Sequence, residues 1–325
     1  MTVIGGANMD INCFSHAPLN MSDSNPGKVD YCPGGVGRNI AENLCRLGTE
    51  VRFIGVIGGD PGGEFIKHSS AGMRLNIEYS LFLKSKSQVT SVYAAMMDSN
   101  GVMKLAISDM DIMEQMTEEH IESKADIIKE SAIVLLDTNL PERIIAFILD
   151  RFAGGSTPET SPLGPVKGSA PLFFLDSVSA IKAPRAASRI GKFDTLKLGS
   201  MEASSLSGIH ITGEPASAEL REKLKEASFR LTGKGVRRVF ITLGKEGVFA
   251  VCAGESSFYP VRYVQPVNSS GAGDAFMAGL IYGTLMDWDE KTLVSFSLAM
   301  ARITVQSKST VCREMSLDLV NKNLV

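Results

Sequence analysis

The sequence predicts an α/β fold, a doubly wound and mostly parallel sheet flanked by helices, with a small β-sheet lid beside it. Three features carry that prediction. Short, uninterrupted apolar runs such as Ile133-Val134-Leu135-Leu136 and Leu172-Phe173-Phe174-Leu175 suit parallel strands buried on both faces. Helical stretches separate these runs from one end of the chain to the other. Glycine clusters follow the first strand and open two of the helices, where an open α/β sheet keeps its ligands.

Strands are expected at 2–6, 51–57, 91–97, 132–136, 172–175, 238–242 and 248–252, and helices at 38–47, 142–152, 217–231, 272–286 and 290–306. In the first helix Ile40, Leu44 and Leu47 recur at i, i+4 and i+7 and share one face. Two regions break the rhythm. Residues 9–33 and 77–108 read as short strands and turns, able to pair as the small separate sheet. Residues 153–171 (AGGSTPETSPLGPVKGSAP) are rich in Gly, Ser and Pro without periodicity, so a mobile insertion is expected there within a single domain spanning 1–325.

Composition narrows the function classes. The 325 residues include 33 Lys and Arg against 36 Asp and Glu, a net charge of -3 that offers no global attraction to nucleic acid or an anionic membrane. The longest apolar runs fall far short of the ~20 residues of a membrane-spanning helix. The five cysteines (13, 32, 45, 252 and 312) form no C-x-x-C, and the histidines at 16, 68, 120 and 210 lie far apart. A disulfide framework and a zinc site are both disfavoured, and with no secretory signal visible the expected location is cytoplasmic, organelle targeting being left open.

Chemistry concentrates in three stretches. Asn268-Ser269-Ser270-Gly271-Ala272-Gly273-Asp274 is a small-residue turn feeding a helix. Its bare backbone and the helix N-terminus make an anion hole. Asp274 there either caps the helix or removes a proton from a nucleophile attacking the bound phosphate. The second stretch, Gly34-Gly35-Val36-Gly37-Arg38-Asn39, opens the first helix with an amide suited to vicinal sugar hydroxyls, though its glycines also suit a plain tight turn. The third, Gly5-Gly6-Ala7-Asn8-Met9-Asp10, places a carboxylate after the first strand, where an Asn/Asp turn is the alternative. No G-x-x-x-x-G-K-[ST], no complete G-x-G-x-x-G and no G-x-S-x-G occurs, which sets aside P-loop, nicotinamide and serine-hydrolase readings.

Together these stretches resemble the ribokinase-like (PfkB) sugar kinases. Residues 34–41, with Gly48 and Gly58 following at the right intervals, are similar to the first signature of that family, and 268–281 to the second. Asn8-x-Asp10 resembles its N-terminal N-x-D motif, and Thr242-Leu243-Gly244-Lys245-Glu246-Gly247 its T-x-G-x-x-G nucleotide turn. Within the family, 15–20, 23–28, 35–44, 106–110 and Asp176-Ser177-Val178-Ser179-Ala180-Ile181-Lys182 look closest to the pseudouridine kinases.

The resemblance implies transfer of the ATP γ-phosphoryl to the 5′-hydroxyl of pseudouridine. Asp274 matches the general base, and Gly271, Ala272 and Gly273 the anion hole. Asp10, Gly35, Asn39 and Asn139 match sugar contacts, while Asn12, Ser24 and Asn25 are candidate base contacts under the lid. Thr242, Gly244, Gly247 and Glu202 match the nucleotide side. Magnesium is implied on ATP, a potassium site near Asn268, Ser270 and Ser309, and a homodimer paired through the lid. Two departures stand out. Asn268 replaces the Asp common in the family, and Gly199 replaces the Asn of its N-x-x-E motif, here Gly199-Ser200-Met201-Glu202. The second predicts weakened nucleotide or metal handling with activity retained. The alternatives are a kinase for ribose, adenosine or inosine, and a nucleoside-binding protein without turnover.

Overall fold

The computed structural model describes residues 1–84, 88–154, 169–214 and 217–324. Fifteen strands are described: Thr2–Ile4 (β1), Asn8–Ser15 (β2), Gly27–Gly34 (β3), Val51–Ile54 (β4), Val56–Ile57 (β5), Leu75–Asn76 (β6), Leu81–Phe82 (β7) and Val92–Met97 (β8), then Met103–Asp109 (β9), Ile133–Asp137 (β10), Leu172–Asp176 (β11), Thr195–Gly199 (β12), Arg238–Thr242 (β13), Gly247–Cys252 (β14) and Glu255–Pro260 (β15). Nine form one sheet in the order β15-β14-β13-β12-β11-β10-β1-β4-β6, parallel from β13 to β6 and antiparallel at β13-β14-β15. A second sheet runs β3-β2-β8-β9.

The apolar runs behave as their composition demands. All five residues of β10 and all five of β11 are buried. Because side chains alternate, Ile133 and Leu135 join the core on one face of the sheet, and Val134 and Leu136 the core on the other. Helix Ala272–Leu285 lies inside the first core, buried from Asp274 to Thr284, which is why it carries no polar stripe. It approaches helix Glu290–Val305 closely at Gly279, where a Cβ would stand 2.6 Å from the Cα of Ser297.

Where sequence and structure differ, the causes are local. The expected strand at 51–57 is two strands, since the chain bends at Gly55 to pair β5 with β7 instead of continuing beside β1. Strands β12 and β15 escape the apolar-run criterion because Lys197 interrupts one and Ser256 and Ser257 the other. Helices Pro61–Ser70 and Ser200–Ser207, rich in Gly and Ser, have too little apolar periodicity to be read. The expected insertion at 153–171 lies mostly outside the described residues; helix Glu142–Phe152 ends before it and β11 begins after it.

The chain runs from β1 to β4 and β6 on one side, then returns to β10 and β11 on the other. The strand order therefore reverses beside β1, and a crevice opens at the carboxyl ends of β1 and β10. Asp137, the last residue of β10, holds that crevice together. Its Oδ2 accepts the backbone N–H of Gly6 at 2.8 Å and that of Gly37 at 2.8 Å, and its Oδ1 accepts that of Asn139 at 2.8 Å. The carboxylate fits because Gly5 and Gly37 lack side chains; a Cβ on Gly5 would stand 2.3 Å from Oδ2. We expect Asp137→Ala, which strands three buried donors, to destabilise the fold by at least about 3 kcal/mol in urea unfolding. A loss below about 1 kcal/mol would show that the strand ends hold their places without it.

Candidate active site

Asp274 occupies the third position of helix Ala272–Leu285 and is only 8% exposed. The helix starts at Gly271, whose φ of 79° lies in the left-handed region. A Cβ there would also stand 2.0 Å from the Thr310 carbonyl oxygen, so glycine is required twice over. The first amides of the helix have no partner within it and aim their N–H groups, with the positive end of the dipole, past Gly271 and Gly273. This is the geometry of an anion site with a carboxylate at its edge.

Charges from two further strands converge on it. Asp176, the last residue of β11, is 1% exposed and accepts from Lys197 Nζ at 2.9 Å. Lys197 comes from β12, and its ammonium lies 2.8 Å from where a Cβ on Gly273 would stand, directly against the anion site. Burial alone would lower the Lys197 pKa, but Asp176 and Asp274 together hold it above the usual lysine value. Burial, reinforced by the charge of Asp176, pushes Asp274 up to about 7 against the opposing pull of Lys197. A carboxylate so poised titrates where a general base is most effective.

On the other side of Asp274 stands Asn39, from helix Val36–Arg46. Its Nδ2 donates to Asp274 Oδ2 at 2.9 Å, while its Oδ1 is buried without a hydrogen-bond partner among the described residues. An orphaned acceptor beside a carboxylate is a place for a ligand hydroxyl. Asp10, in β2, lies over Gly34 and accepts from Asn8; burial raises it to about 6 although Arg38 stands nearby. Gly35, with φ 97°, lets the turn pass within 2.4 Å of the Gly6 oxygen, measured from an added Cβ. Asn139 reaches over Gly6 from the end of β10, its Oδ1 accepting from Lys182 Nζ at 2.7 Å. Asp10, Gly35, Asn39, Asn139 and Asp274 therefore line one crevice.

The candidate base contacts divide. Asn12 shares the inner face of the small sheet with Asp10 and donates to Cys32 Sγ at 3.3 Å. Ser24 and Asn25 do not join the site within this chain. They sit beyond the Ser15–Gly27 end of the β2-β3 hairpin, seven residues from its root at Asn8 and Gly34 and so about 20 Å away along the strands. Asn25 uses its amide on the turn itself, bonding Asn20 and Asp23.

Of the residues expected on the nucleotide side, Thr242 ends β13 with its hydroxyl on the Leu198 carbonyl at 3.2 Å, and Gly247 opens β14. Between them Gly244 has φ 57° and nothing within 4 Å of an added Cβ, a bare turn open to a ligand. Gly199 is the N-cap of helix Ser200–Ser207, and Glu202 Oε2 lies 2.3 Å from where its Cβ would be. The Glu202 carboxylate thus fills the space that an Asn side chain would take. Asn268 donates to the Lys308 carbonyl at 3.2 Å and accepts from Ser270 N at 2.9 Å, which draws its loop to the Ser307–Ser309 turn. The Asn268 amide oxygen expected to take part in a potassium site is already used on Ser270 N. Among the described residues, no group of three or more His, Cys, Asp or Glu side chains is arranged to hold a metal.

Sequence reading missed Asp137, Asp176, Lys197 and Lys182 as site residues. A signal existed for the first two, since each is the carboxylate that ends a fully apolar strand, in IVLLD and LFFLD. Lys197 gave none, because only the fold brings β12 alongside β11.

Comparison with known proteins agrees with this geometry. The family model described as pfkB family carbohydrate kinase matches residues 1–314. The chain is 33% identical to a pseudouridine kinase of Escherichia coli K12 over 281 residues, 86% of this chain and 82% of that protein. Among solved structures, a putative sugar kinase from Clostridium perfringens superposes with a TM-score of 0.78 at 31% identity, covering 100% of this chain and 95% of that one. Arabidopsis thaliana ribokinase, complexed with ribose and ATP, shares the fold with a TM-score of 0.77 at 20% identity, covering 99% and 97%. With a strand-end crevice, a glycine-started helix carrying Asp274 and a family match across nearly its whole length, the chain belongs to the PfkB family of carbohydrate kinases.

Proposed function

We propose that this kinase transfers the γ-phosphoryl group of ATP to the 5′-hydroxyl of pseudouridine. The observation that carries the phosphotransferase chemistry is Asp274, buried at a helix N-terminus with its pKa raised to about 7 and Asn39 fixing one oxygen. The 5′-oxygen attacks the γ-phosphorus in line as Asp274 takes its proton. A new P–O bond forms, the bond to the β-phosphate oxygen breaks, and ADP leaves. Amides of residues 271–273 receive the equatorial charge of the transferring group, with Lys197 beside them. Asp10, Asn39 and Asn139 hold the ribose hydroxyls, and Asn12 meets the base. Thr242, Gly244 and Gly247 bed the nucleotide.

Magnesium brought in on ATP supplies charge neutralisation, and Glu202 is the carboxylate available to hold one of its waters. The neutral oxygens at Asn268, Ser270 and Ser309 accept potassium only weakly. Pseudouridine as substrate rests on the 33% identical relative and on the motifs from 15 to 44 and 176 to 182.

The small sheet is the proposed lid and dimer surface. Its outer face carries two rows paired across the strands, Tyr31-Ile11-Ala94-Ile107 and Val29-Cys13-Met96-Leu105. Val29, Tyr31, Met96, Leu105 and Ile107 are exposed, Ile107 by 66%. A sheet face this apolar is completed by the same face of a second copy.

An ADP-release assay with ATP and magnesium, run against pseudouridine, uridine, adenosine, inosine and ribose, tests the substrate. Pseudouridine is expected to give the highest kcat/KM; a win for another sugar keeps the mechanism and removes this substrate. Asp274→Asn is expected to cost about 1,000-fold or more in kcat. Since the base must be ionised, kcat should rise with pH up to about 7 and level off above it. A profile flat from pH 5 to 9 would remove Asp274 from that role.

Gly199→Asn restores the missing amide and displaces only the flexible end of Glu202. It is expected to lower KM for ATP by about 3-fold, one added hydrogen bond. A higher KM would mean that Glu202 in its present position is what handles the metal. In sedimentation velocity at micromolar concentration, the protein should run as a dimer and Ile107→Asp as a monomer. A monomeric parent would overturn the dimer surface.

A further inference from the structure

The loop after β11 contains a backbone conformation that nothing in the proposed chemistry explains. Val178 has φ 57°, a left-handed value that a β-branched residue avoids. The Ser179 N–H donates to the Ser177 carbonyl across it at 2.5 Å, closing a three-residue turn. Two side chains hold this turn in place. Val178 N donates to Asp176 Oδ1 at 3.0 Å, and the Thr138 hydroxyl donates to the Ser177 carbonyl at 2.6 Å. A strained turn fixed from both adjacent strand ends aims the next stretch of chain. That stretch leads to Lys182, whose own N–H is tied back to the Ser179 carbonyl at 3.1 Å.

The Lys182 side chain turns back to the crevice and donates its ammonium to Asn139 Oδ1 at 2.7 Å. No carboxylate is within ion-pair distance of it among the described residues, although the charge of buried Asp137 acts on it. An ammonium has three donors and no acceptor, so the atom of Asn139 facing it is the carbonyl oxygen. The amide NH2 must then point the other way. Asn139 Nδ2 lies 2.7 Å from where a Cβ on Gly6 would stand, over bare backbone in the crevice.

We propose that Lys182 is a positioning residue for substrate recognition, locking the Asn139 amide so that this point of the crevice presents a hydrogen-bond donor. The position thereby reads an acceptor oxygen on the sugar. Without Lys182 the amide can turn over and present its own carbonyl oxygen, which a sugar hydroxyl can meet only by withdrawing its proton from the Asp10 carboxylate. The proposal rests on the kinase reading for its kinetic consequence, but the orientation of Asn139 stands apart from it.

Two experiments test it. In steady-state kinetics with the best substrate of the panel, Lys182→Met should raise KM for the sugar or nucleoside by about 10-fold, leaving kcat and KM for ATP within about 2-fold. In an Asn139→Ala background, Lys182→Met should add nothing further. An unchanged KM, or a full additional effect in that background, would overturn the proposal. In neutron crystals of substrate-free protein, which tell the amide nitrogen from its oxygen, Nδ2 of Asn139 should face Gly6 in the parent, and Oδ1 should face it at least in part in Lys182→Met. A variant in which Nδ2 alone still faces Gly6 also overturns it. Lys182→Leu, which has no donor either, serves both experiments if the Met variant fails to fold. Should no panel member turn over while the amide still rotates, the substrate reading fails and the role of Lys182 stands.

Discussion

The β1 and β10 side of the crevice is placed by one buried carboxylate. Asp137 ends a strand and gathers the N–H groups of Gly6, Gly37 and Asn139, one from each of the segments that carry the side chains proposed to meet the sugar. Asp10 follows Gly6 by four residues, Asn39 follows Gly37 by two, and Asn139 is itself the third donor. The crossing of the chain at β1 would otherwise leave these amides unpaired in a low-dielectric crevice, at a cost of about 1–3 kcal/mol each. Glycine at positions 5 and 37 follows from the carboxylate, since side chains there would occupy its space. The glycine-rich signature therefore answers to a buried anion of the protein's own as well as to the ligand.

Keeping carboxylates dry has a thermodynamic consequence. Burial raises Asp10 and Asp137 to about 6 and Asp274 to about 7, all above the value of about 4 for an unfolded chain. For a group whose folded pKa is raised, the associated stability is complete below the unfolded pKa and is lost as pH rises through the folded one. These three groups thus favour the folded state most strongly in acid and least above pH 7. In the proposed reaction Asp274 would work as a base only when ionised. The site would then operate in the range where its own charge weakens the fold, with Lys197 and Arg38 as the nearby cations.

Much of the architecture was legible because burial on both faces of a parallel sheet writes continuous apolar runs into the sequence. Ile133–Asp137 and Leu172–Asp176 could be read to within a residue or two. Strand β12 could not, because Lys197 sits in its middle, and that lysine is there for the site. The glycine-rich stretches and Asp274 were legible as bare backbone at a helix start with a carboxylate beside it, since backbone exposure and a helix start need only local sequence. Lys182 and Lys197 were not, because their meaning depends on partners 43 and 21 residues away. Ser24 and Asn25, expected under the lid, stand at the far end of the β2-β3 hairpin, where Asn25 bonds within its own turn.

Asp176 joins the two halves of the crevice. One oxygen accepts from Lys197, which stands against the anion site; the other accepts from Val178 N and so sets the turn leading to Lys182. Its charge also raises Asp274. Replacing it with Asn keeps at most one of the two hydrogen bonds in its proper sense, because an amide nitrogen facing either the ammonium or the N–H repels it. The phosphate end and the sugar end are therefore not independently adjustable. A change that relaxes the Val178 turn frees the partner of Lys197, and a change at Lys197 leaves Asp176 as an uncompensated buried charge beside the base. In the proposed reaction, coupling through one carboxylate would hold the reacting hydroxyl and the phosphoryl site at a fixed separation, which is what an in-line transfer between two bound molecules requires.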